Sequence, residues 1–597
     1  MMRRTGSAFI VISIIMGAAT PGRAETYYVS TSGSDGATGL AADVAWRTLG
    51  QAVATAVAGD TVYIQAGDYG RETITFPRSG TESAPIVFQG YRATPGDTPA
   101  STYQVGDNAL AASDMPLLNG GDKTGVALML SSRAYIEIRN LQIEAYEQGV
   151  ITWNVNHVTI ENVTVINCNP PGTAYVGKGI IISGDFNTVR NCTVTDAGAE
   201  NLMLYGNYNL AEGCRSYGYS DDNATDYYLN VVPGPNGTGD HNVVKDCLAH
   251  RVNDLSHGGH GIGTKSNTQY NQFVDCEAIN FEGEDFLVRH SGSANNEFIR
   301  CTARGGVGIV IRDGAHHNTF RDCRVLNAAV GVMTYDSTED GFLGAGFDNQ
   351  IINSIFVNST TVIDLDPYGN PDTAAFDNNR FINCDFIGAT NLFTPRHAST
   401  GNEFVNCIFT QIDNLRGTGT FVPGFSYTNC DLWANGFAAP GGTNLLEVDP
   451  AFVNPATGDY HLRSGSGCID TGTADQAPAA DLDGRTRPQG SGFDIGAYEY
   501  VPPAADGGVD GAAADAVPGA DAVPGADAAP GADAGPGADA AITNESDGSP
   551  GPDAGLPRAA ALAGACGCRA GLGSSSASAL VAMALLALVG LRRRRAT

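Results

Sequence analysis

One short motif recurs nine times along the middle of the chain and constrains the fold more than any other feature. Each copy is a hexad that begins with Asn, usually carries an apolar residue at its third position and ends with Cys or Ser. The copies begin at Asn187, Asn209, Asn242, Asn271, Asn296, Asn318, Asn349, Asn379 and Asn402. Consecutive copies are about 22 to 33 residues apart, which is the length of one coil of a solenoid.

The hexad predicts stacked coils. Each copy is a short strand closed by a polar turn, and it is too small to bury its own apolar face. Stacking identical coils buries that face and lets the Asn side chains hydrogen-bond along a ladder. We therefore predict an all-β fold, a right-handed parallel β-helix, in which residues at the same offset from the hexad become neighbours in space.

This register places three long cations on one face. Lys265, Arg289 and Arg312 lie six, seven and six residues before the hexads of their coils. Stacked coils would set them about 5 Å apart. Any one of them could simply decorate a solvated strand, but three in register in an acidic chain favour a functional site.

The overall charge limits the partners of the chain. It has 34 Lys and Arg against 64 Asp and Glu, a formal charge of −30. Nucleic acid is excluded as the main partner, because phosphate binding needs a basic surface. An acidic polymer could bind only where local cations or a bound metal reverse the field.

The cysteines indicate packing more than cross-linking. Eleven of the thirteen lie in the predicted solenoid or its cap, most of them at the last hexad position. We predict a buried ladder of thiols in place of a disulfide framework. No CxxC or Cys/His spacing suggests zinc.

The two ends of the chain predict export and attachment to the cell envelope. Residues 1–24 read as a signal peptide: Arg3 and Arg4 precede a short apolar run, and Ala24 precedes the cleavage point. Residues 501–557 are an Ala/Asp/Gly/Pro stalk that we expect to be disordered. Residues 558–597 carry GCGCR, an apolar stretch and four arginines, which favours a sorting or anchor segment.

The folded part divides into three segments. Residues 25–70 are expected to form an N-terminal cap, with a helix that presents apolar side chains on one face. Residues 71–435 form the β-helix itself, and residues 436–500 a turn-rich C-terminal cap module. The predicted helix face consists of Trp46, Leu49, Val53 and Val57.

Both ends of the folded part resemble known families. The opening YYVSTSGSDG…AWRTLGQAV…GDTVYIQAGDY is similar to the N-terminal cap of many secreted β-helix proteins, including polysaccharide lyases. The segment ending FDIGAYEY resembles a C-terminal module of bacterial surface β-helix proteins. GCGCR, the apolar run and RRRR together look like the C-terminal sorting signal of myxobacteria and their relatives.

The middle of the chain resembles two lyase families. CRSYGYSDDNATDYYL looks like the segment of lysine-dependent pectate lyases whose aspartates bind calcium, which implies Asp221, Asp222 and Asp226 as calcium ligands. The TKS…VRH stretch resembles the lysine–arginine pair of the chondroitinase B and alginate lyase family. That likeness implies Lys265 and Arg289 as the catalytic pair.

Lyase chemistry would use these residue types. β-Elimination on a uronate needs a base for the proton beside the carboxylate and positive charge to offset the developing anion. Lysine beside arginines has its pKa lowered by like-charge repulsion, and arginine pairs bidentately with carboxylates. We expect Arg312, His260 and His290 to contact the substrate.

Two alternatives remain open. Glu282, Glu284 and Asp285 lie one coil beyond Lys265 and could serve paired-carboxylate hydrolysis. A non-catalytic surface module for glycan binding or adhesion is the other, and it is supported by the stalk and anchor, which would keep the protein on the cell where a depolymerase need not remain. In either lyase or adhesin form we expect a monomeric protein at the cell surface, whose partner is an acidic polysaccharide.

Overall fold

A computed structural model describes residues 23–170, 176–219, 225–253, 259–337, 344–365, 376–396, 398–417 and 424–502. This part of the chain is an all-β parallel solenoid of about 13 turns, as the hexads predict. The predicted stalk and anchor segment lie outside it almost entirely, as does most of the predicted signal peptide. Within the ranges just given, no helix is both long and apolar enough to cross a membrane.

Each complete coil contributes strands to three faces. The cation face carries Lys265, Arg289 and Arg312, the hexad face carries the hexads, and the return face leads back to the next coil. The cation face contains Ile74–Thr75, Val126–Ser131, Gln148–Trp153, Lys178–Asp185, Glu200–Tyr205, Tyr227–Val232, His260–Lys265, Glu284–Arg289, Val307–Arg312 and Val330–Tyr335. The hexad face contains Thr26–Val29, Thr61–Gln65, Ile86–Tyr91, Thr188–Arg190, Leu210–Glu212, Val243–Lys245, Gln272–Val274, Glu297–Ile299, Thr319–Arg321, Gln350–Ile352, Arg380–Ile382, Asn402–Val405 and Phe425–Thr428.

The remaining strands complete the coils. The return face contains Gly67–Asp68, Pro116–Asn119, Thr193–Thr195, Arg215–Gly218, Leu248–Arg251, Glu277–Ile279, Thr302–Arg304, Arg324–Leu326 and Asp431–Trp433. Long strands that run through two faces are Ala134–Glu144, Val155–Ile166, Ile355–Leu365, Asp385–Pro395 and Ile408–Arg416. Short strands between the cation and hexad faces are Thr268–Gln269, Ser293–Ala294, Ala315–His316, Gly346–Phe347 and Phe376–Asp377. One antiparallel pair, Phe452–Asn454 with Asp459–Leu462, lies beyond the last coil strand.

The predicted asparagine ladder is present and buried. Asn271 Nδ2 donates to Asn296 Oδ1 at 2.9 Å and to the Gly239 carbonyl at 2.8 Å. The same Oδ1 accepts the backbone N–H of Asn271. Equivalent side-chain bonds run unbroken from Asn242 to Asn402. The ladder stops where Phe425 takes the place of the next Asn.

The backbone conformation and the burial of the last two hexad positions account for the residue types found there. The fifth residue has a left-handed backbone in every copy, with φ of 53° at Asn191, 66° at Gly213 and 53° at Asp275. Asn, Asp and Gly adopt that conformation at low cost, which accounts for their frequency there. The sixth residue points into the core. All eleven described cysteines are buried and free, so the predicted thiol packing is confirmed for this part of the chain.

Removing one rung of the ladder tests this account of the fold. Asn271→Ala leaves the Asn242 backbone N–H and the Gly239 carbonyl without a buried partner. It also removes one of the acceptors of Asn242 Nδ2, which keeps the Gly206 carbonyl. We expect a loss of about 2 to 4 kcal/mol in the free energy of unfolding, because each buried polar group left unpaired costs 1 to 3 kcal/mol. Urea denaturation measures it. The adjacent exposed Gln272→Ala is the control and should change stability by less than about 0.5 kcal/mol; equal losses would contradict the ladder's role.

The N-terminal helix is shorter than predicted. It spans Leu49–Thr55, with Leu49 and Val53 buried in the core as expected. Trp46 is also buried, but it precedes the helix and its backbone bridges to Val29. The prediction was wrong for Val57, which lies beyond the helix and is 46% exposed. The chain leaves the helix at Ala56 because its backbone becomes extended there.

The C-terminal module covers the outside of the return face. Ile495, Ala497 and Cys468 pack against Ile387 and Ile408 of that face. Asparagines of the coils also hydrogen-bond to the module. Asn383 Nδ2 donates to the Asp494 and Gly496 carbonyls, both at 3.0 Å. Asp385 accepts the Ala497 N–H at 3.0 Å. The module is therefore held by polar contacts to coil corners as well as by apolar packing.

Asp385 makes this attachment sensitive to pH. Burial raises the pKa of Asp385 to about 7. A raised pKa in the folded state adds stability at low pH that is lost as pH rises from about 4 to about 7. Asp385→Asn keeps an acceptor for Ala497 without the charge. We expect its stability relative to wild type to improve from pH 5 to pH 8 by on the order of 3 kcal/mol, measured by urea denaturation at both values; a difference independent of pH would contradict this.

Candidate functional site

The three cations lie in register on adjacent strands of the cation face. Lys265 pairs with Arg289, and Arg289 pairs with Arg312, each at the last position of its strand. Adjacent strands are about 4.8 Å apart, so the three side chains form one column. The register prediction is confirmed. What these residues do chemically is a separate question.

A second polar column runs parallel to the first, five residues earlier in each strand. Tyr227 pairs with His260, and His260 pairs with Glu284. Gly263 lies between the two columns on the middle strand, where a Cβ would come 2.2 Å from the Leu287 carbonyl oxygen. Gly263 is itself buried, and it gives the middle strand a floor without a side chain between the two columns.

Lys265 crosses this floor to Tyr227. Its Nζ donates to the Tyr227 hydroxyl at 2.8 Å and lies 4.3 Å from the centre of the Tyr227 ring. The His260 ring packs against the same tyrosine at 4.7 Å between centroids. Lys265 is half-buried. An ammonium or amine, a phenol and an imidazole therefore meet at one half-buried point.

Glu284 is the buried carboxylate that contacts several polar residues of this site. It is 2% exposed and contacts His260, Arg312 and the Tyr335 hydroxyl, the last two at 3.3 Å and 3.2 Å. Burial alone would raise the pKa of Glu284, but the positive charges of His260, Arg312 and Arg289 lower it to about 2. Glu284 is therefore ionised at neutral pH and holds its neighbours in place.

The two arginines are compensated and buried, which the sequence did not predict. Arg289 Nε lies 3.2 Å from Asp313 Oδ2, and Arg312 Nη1 lies 3.4 Å from the same oxygen. Arg312 also stacks on the Tyr335 ring at 4.8 Å. The exposed fractions are only 8% for Arg289 and 5% for Arg312. The face thus presents Lys265 to solvent above a layer of paired charges, in place of three free cations.

His290 lies at the edge of this layer. It is 9% exposed, and its Nδ1 lies 2.9 Å from Ser266 Oγ. Burial, reinforced by Arg289, lowers the pKa of His290 to about 4. It is neutral at physiological pH, and its proposed contact with substrate stays a prediction.

Only one of the three predicted calcium ligands lies in the part of the chain that the structure describes. Asp221 and Asp222 lie outside the described residues. Asp226 is at the site, with Oδ1 3.7 Å from His260 Nε2. Burial raises the pKa of Asp226, and the charges of His260 and Lys265 oppose that rise. Among the residues with described positions, no group of three or more His, Cys, Asp or Glu is arranged to hold a metal.

The carboxylates considered for hydrolysis do not meet. Glu282 is exposed, whereas Asp285 is fully buried and accepts the Phe281 N–H at 3.1 Å. Burial raises the pKa of Asp285 well above its usual range. Asp285 therefore braces a turn, and only Glu284 of the three faces the site.

Sequence reasoning missed Tyr227 and Tyr335 as site residues. The register argument that found the cations would also have found Tyr227, because Tyr227, His260 and Glu284 lie at the same position of three adjacent strands.

A column of exposed rings was also missed, although each ring stands directly before an inward-facing residue of the hexad face. Neighbouring rings stack at 4.6 to 5.5 Å. The rings are Tyr135, His157, Phe186, Tyr208, His241 and Tyr270.

Comparison with known proteins supports the fold and leaves the chemistry open. Residues 178–356 match the family described as Right handed beta helix region. That match supports the predicted hand of the helix over this range. No curated protein matches the sequence.

Several solved structures are similar at low identity. A rhamnogalacturonan lyase is 14% identical with a TM-score of 0.35, over 76% of this chain and 97% of that one. A PL6 family polysaccharide lyase from Pseudopedobacter saltans is 14% identical with a TM-score of 0.34, over 70% and 94%. The catalytic domain of a GH87 α-1,3-glucanase is 12% identical with a TM-score of 0.41, over 64% and 70%. These proteins include lyases and hydrolases, and such values assign neither activity to this chain.

Proposed function

We propose that this protein is a polysaccharide lyase that cleaves a uronate-containing polymer by β-elimination on its cation face. The observation that carries the proposal is the 2.8 Å hydrogen bond between Lys265 Nζ and the Tyr227 hydroxyl. A base and an acid in direct contact can act in succession on one substrate. The low-identity likenesses above contribute nothing to this assignment.

The proposed reaction uses this pair in a closed proton cycle. Lys265, acting uncharged, takes the proton from the carbon beside the uronate carboxylate. The electron pair forms a carbon–carbon double bond as the glycosidic carbon–oxygen bond breaks. Tyr227 gives its proton to the departing oxygen, and the proton on Nζ then returns to the Tyr227 oxygen along their hydrogen bond.

The buried layer supplies electrostatic support in this proposal. In this proposal Arg289, which is next to Lys265 in the register although it is buried and paired with Asp313, favours the developing negative charge on the substrate carboxylate. Because Arg312 is held by Glu284 and Asp313, we assign it a positioning role for the layer. His260, packed on Tyr227, orients the phenol.

Calcium enters the proposal as a second cation. Of the three residues implied as ligands, Asp226 lies 3.7 Å from His260 Nε2, and in the proposal it would share a site with Asp221 and Asp222. A bound calcium would offset substrate carboxylate charge. The proposed proton cycle does not depend on it.

A non-catalytic glycan-binding face is the second candidate, favoured by the burial of both arginines. Product masses separate the possibilities. The full-length protein is incubated with pectate, alginate and chondroitin sulfate, with and without calcium, and the fragments are weighed by mass spectrometry. Elimination gives fragments that sum to the parent mass, hydrolysis adds one water, and a binding module gives no fragments. Either of the last two results rejects the lyase proposal for these polymers.

A further inference from the structure

A cavity of about 690 Å³ lies away from the Lys265–Tyr227 pair, at the corner where the return face meets the cation face. Its wall follows the ends of successive return-face strands, and a loop at residues 103–108 closes over it. Tyr103 and Tyr219 line it together with the side chains of several Asn, Asp and Glu residues. We propose that this cavity binds an uncharged saccharide unit.

The tyrosine wall is fixed in position. The Tyr219 backbone N–H donates to Asp196 Oδ1 at 2.8 Å, and its carbonyl accepts Asn253 Nδ2 at 2.6 Å. The loop presses Gly106 onto the Tyr219 ring so closely that a Cβ would lie 3.0 Å from it. Tyr219 is still 40% exposed. A half-covered ring on a backbone held in this way offers the flat apolar surface that the carbon–hydrogen face of a sugar needs.

The rest of the lining combines carboxylates, which accept hydrogen bonds, with Asn side chains, which both donate and accept. Glu144 is 6% exposed, and its two oxygens accept Asn119 Nδ2 at 2.5 Å and, just after the loop, the Leu110 N–H at 2.8 Å. Asn108 and Asn167 also line the cavity. Asn side chains and carboxylates together suit hydroxyl groups, which are donors and acceptors at once.

The charge of the lining selects against acidic sugars. Asp107, Glu144 and Asp196 contribute three carboxylates, and Lys123 is the one cation in the lining. Lys123 Nζ already donates to Asn169 Oδ1 at 2.5 Å. A uronate would meet like charge here. The cavity thus differs in ligand class from the cation face, and the inference holds whether or not that face is catalytic.

Calorimetric titration of the full-length protein tests the cavity. The probes are cellohexaose, xylohexaose, mannohexaose and maltohexaose, with trigalacturonate as the charged comparison. We expect at least one neutral hexasaccharide to bind. Any binding of trigalacturonate should be unaffected by substitution of Tyr219. Tyr219→Ala should weaken the neutral ligand about tenfold, because the stacking surface is lost. Tyr219→Phe should retain it.

Matched variants keep the outcome decisive. Tyr270→Ala removes an exposed ring of the outer column, 52% exposed, and should leave binding unchanged. If Tyr219→Ala does not fold, Asp107→Lys on the exposed loop serves instead, because its long side chain would occupy the cavity. Binding of no neutral hexasaccharide overturns the proposal. The proposal is also overturned if Lys265→Ala abolishes binding of the neutral hexasaccharide while Tyr219→Ala leaves it unchanged.

Discussion

Lys265→Ala is expected to lower the rate of uronate polymer cleavage by about 10² to 10⁴-fold, because it removes the proposed base. Substrate affinity should change far less. Lys265 is half-buried and its described polar contact is Tyr227, so the thermal unfolding temperature should stay close to that of wild type. Steady-state kinetics on the polymer that gives elimination products, paired with calorimetry, measures both effects.

Two further variants make this result specific. Tyr227→Phe keeps the ring under Lys265 and removes the proton donor, so it should also lower kcat by about 10²-fold or more. Lys245→Ala removes an exposed lysine that pairs with Glu212 on the hexad face and should leave kcat unchanged. Equal rates for Lys265→Ala and wild type would show that Lys265 is not the base.

Glu284→Gln is expected to destabilise the protein by about 3 to 5 kcal/mol, the cost of breaking a buried ion pair. Arg312 and His260 would lose the charge that they share, and Asp313 alone would face two buried arginines. The pKa of Glu284 is lowered to about 2, so its contribution is present above pH 4 and is lost as pH falls through about 2. The difference from wild type should therefore shrink in acid.

Glu277→Gln is the matched control for that measurement. Glu277 pairs with Arg304 at 2.6 Å on the return face, and the two side chains are 38% and 42% exposed. An exposed pair of this kind contributes about 0 to 1 kcal/mol. Urea denaturation of both variants at pH 7 and near pH 3 compares them. Similar small losses would mean that Glu284 does not hold the buried layer together.

The repeat made the fold predictable because each coil obeys the same local rules. Asn271 at one corner and Cys276 at the other recur with fixed spacing, so strand, turn and core direction follow from position. The column of Lys265, Arg289 and Arg312 followed from the same arithmetic. A one-residue difference in offset at Arg289 did not disturb it, because the extra residue falls between the strand and the hexad.

The chemistry of the site could not be predicted in the same way. Register says which residues are neighbours along a column, but not which side chains bend across the floor or fold down into the layer below. Lys265 reaches sideways to Tyr227, while Arg312 turns to Glu284 and Tyr335. Burial decides between these outcomes, and it depends on neighbours from three coils at once. The helix end near Val57 was missed for a related reason, since the apolar spacing alone continued past Ala56.

The most direct test of the central claim is the appearance of unsaturated uronate when the full-length wild-type protein meets pectate, alginate or chondroitin sulfate. The double bond formed by elimination absorbs in the ultraviolet, so the reaction can be followed continuously. If the Lys265–Tyr227 pair is an elimination site, absorbance rises with wild type on at least one polymer and not with Lys265→Ala. A flat trace on all three polymers, with or without calcium, or an equal rise with Lys265→Ala, would contradict it.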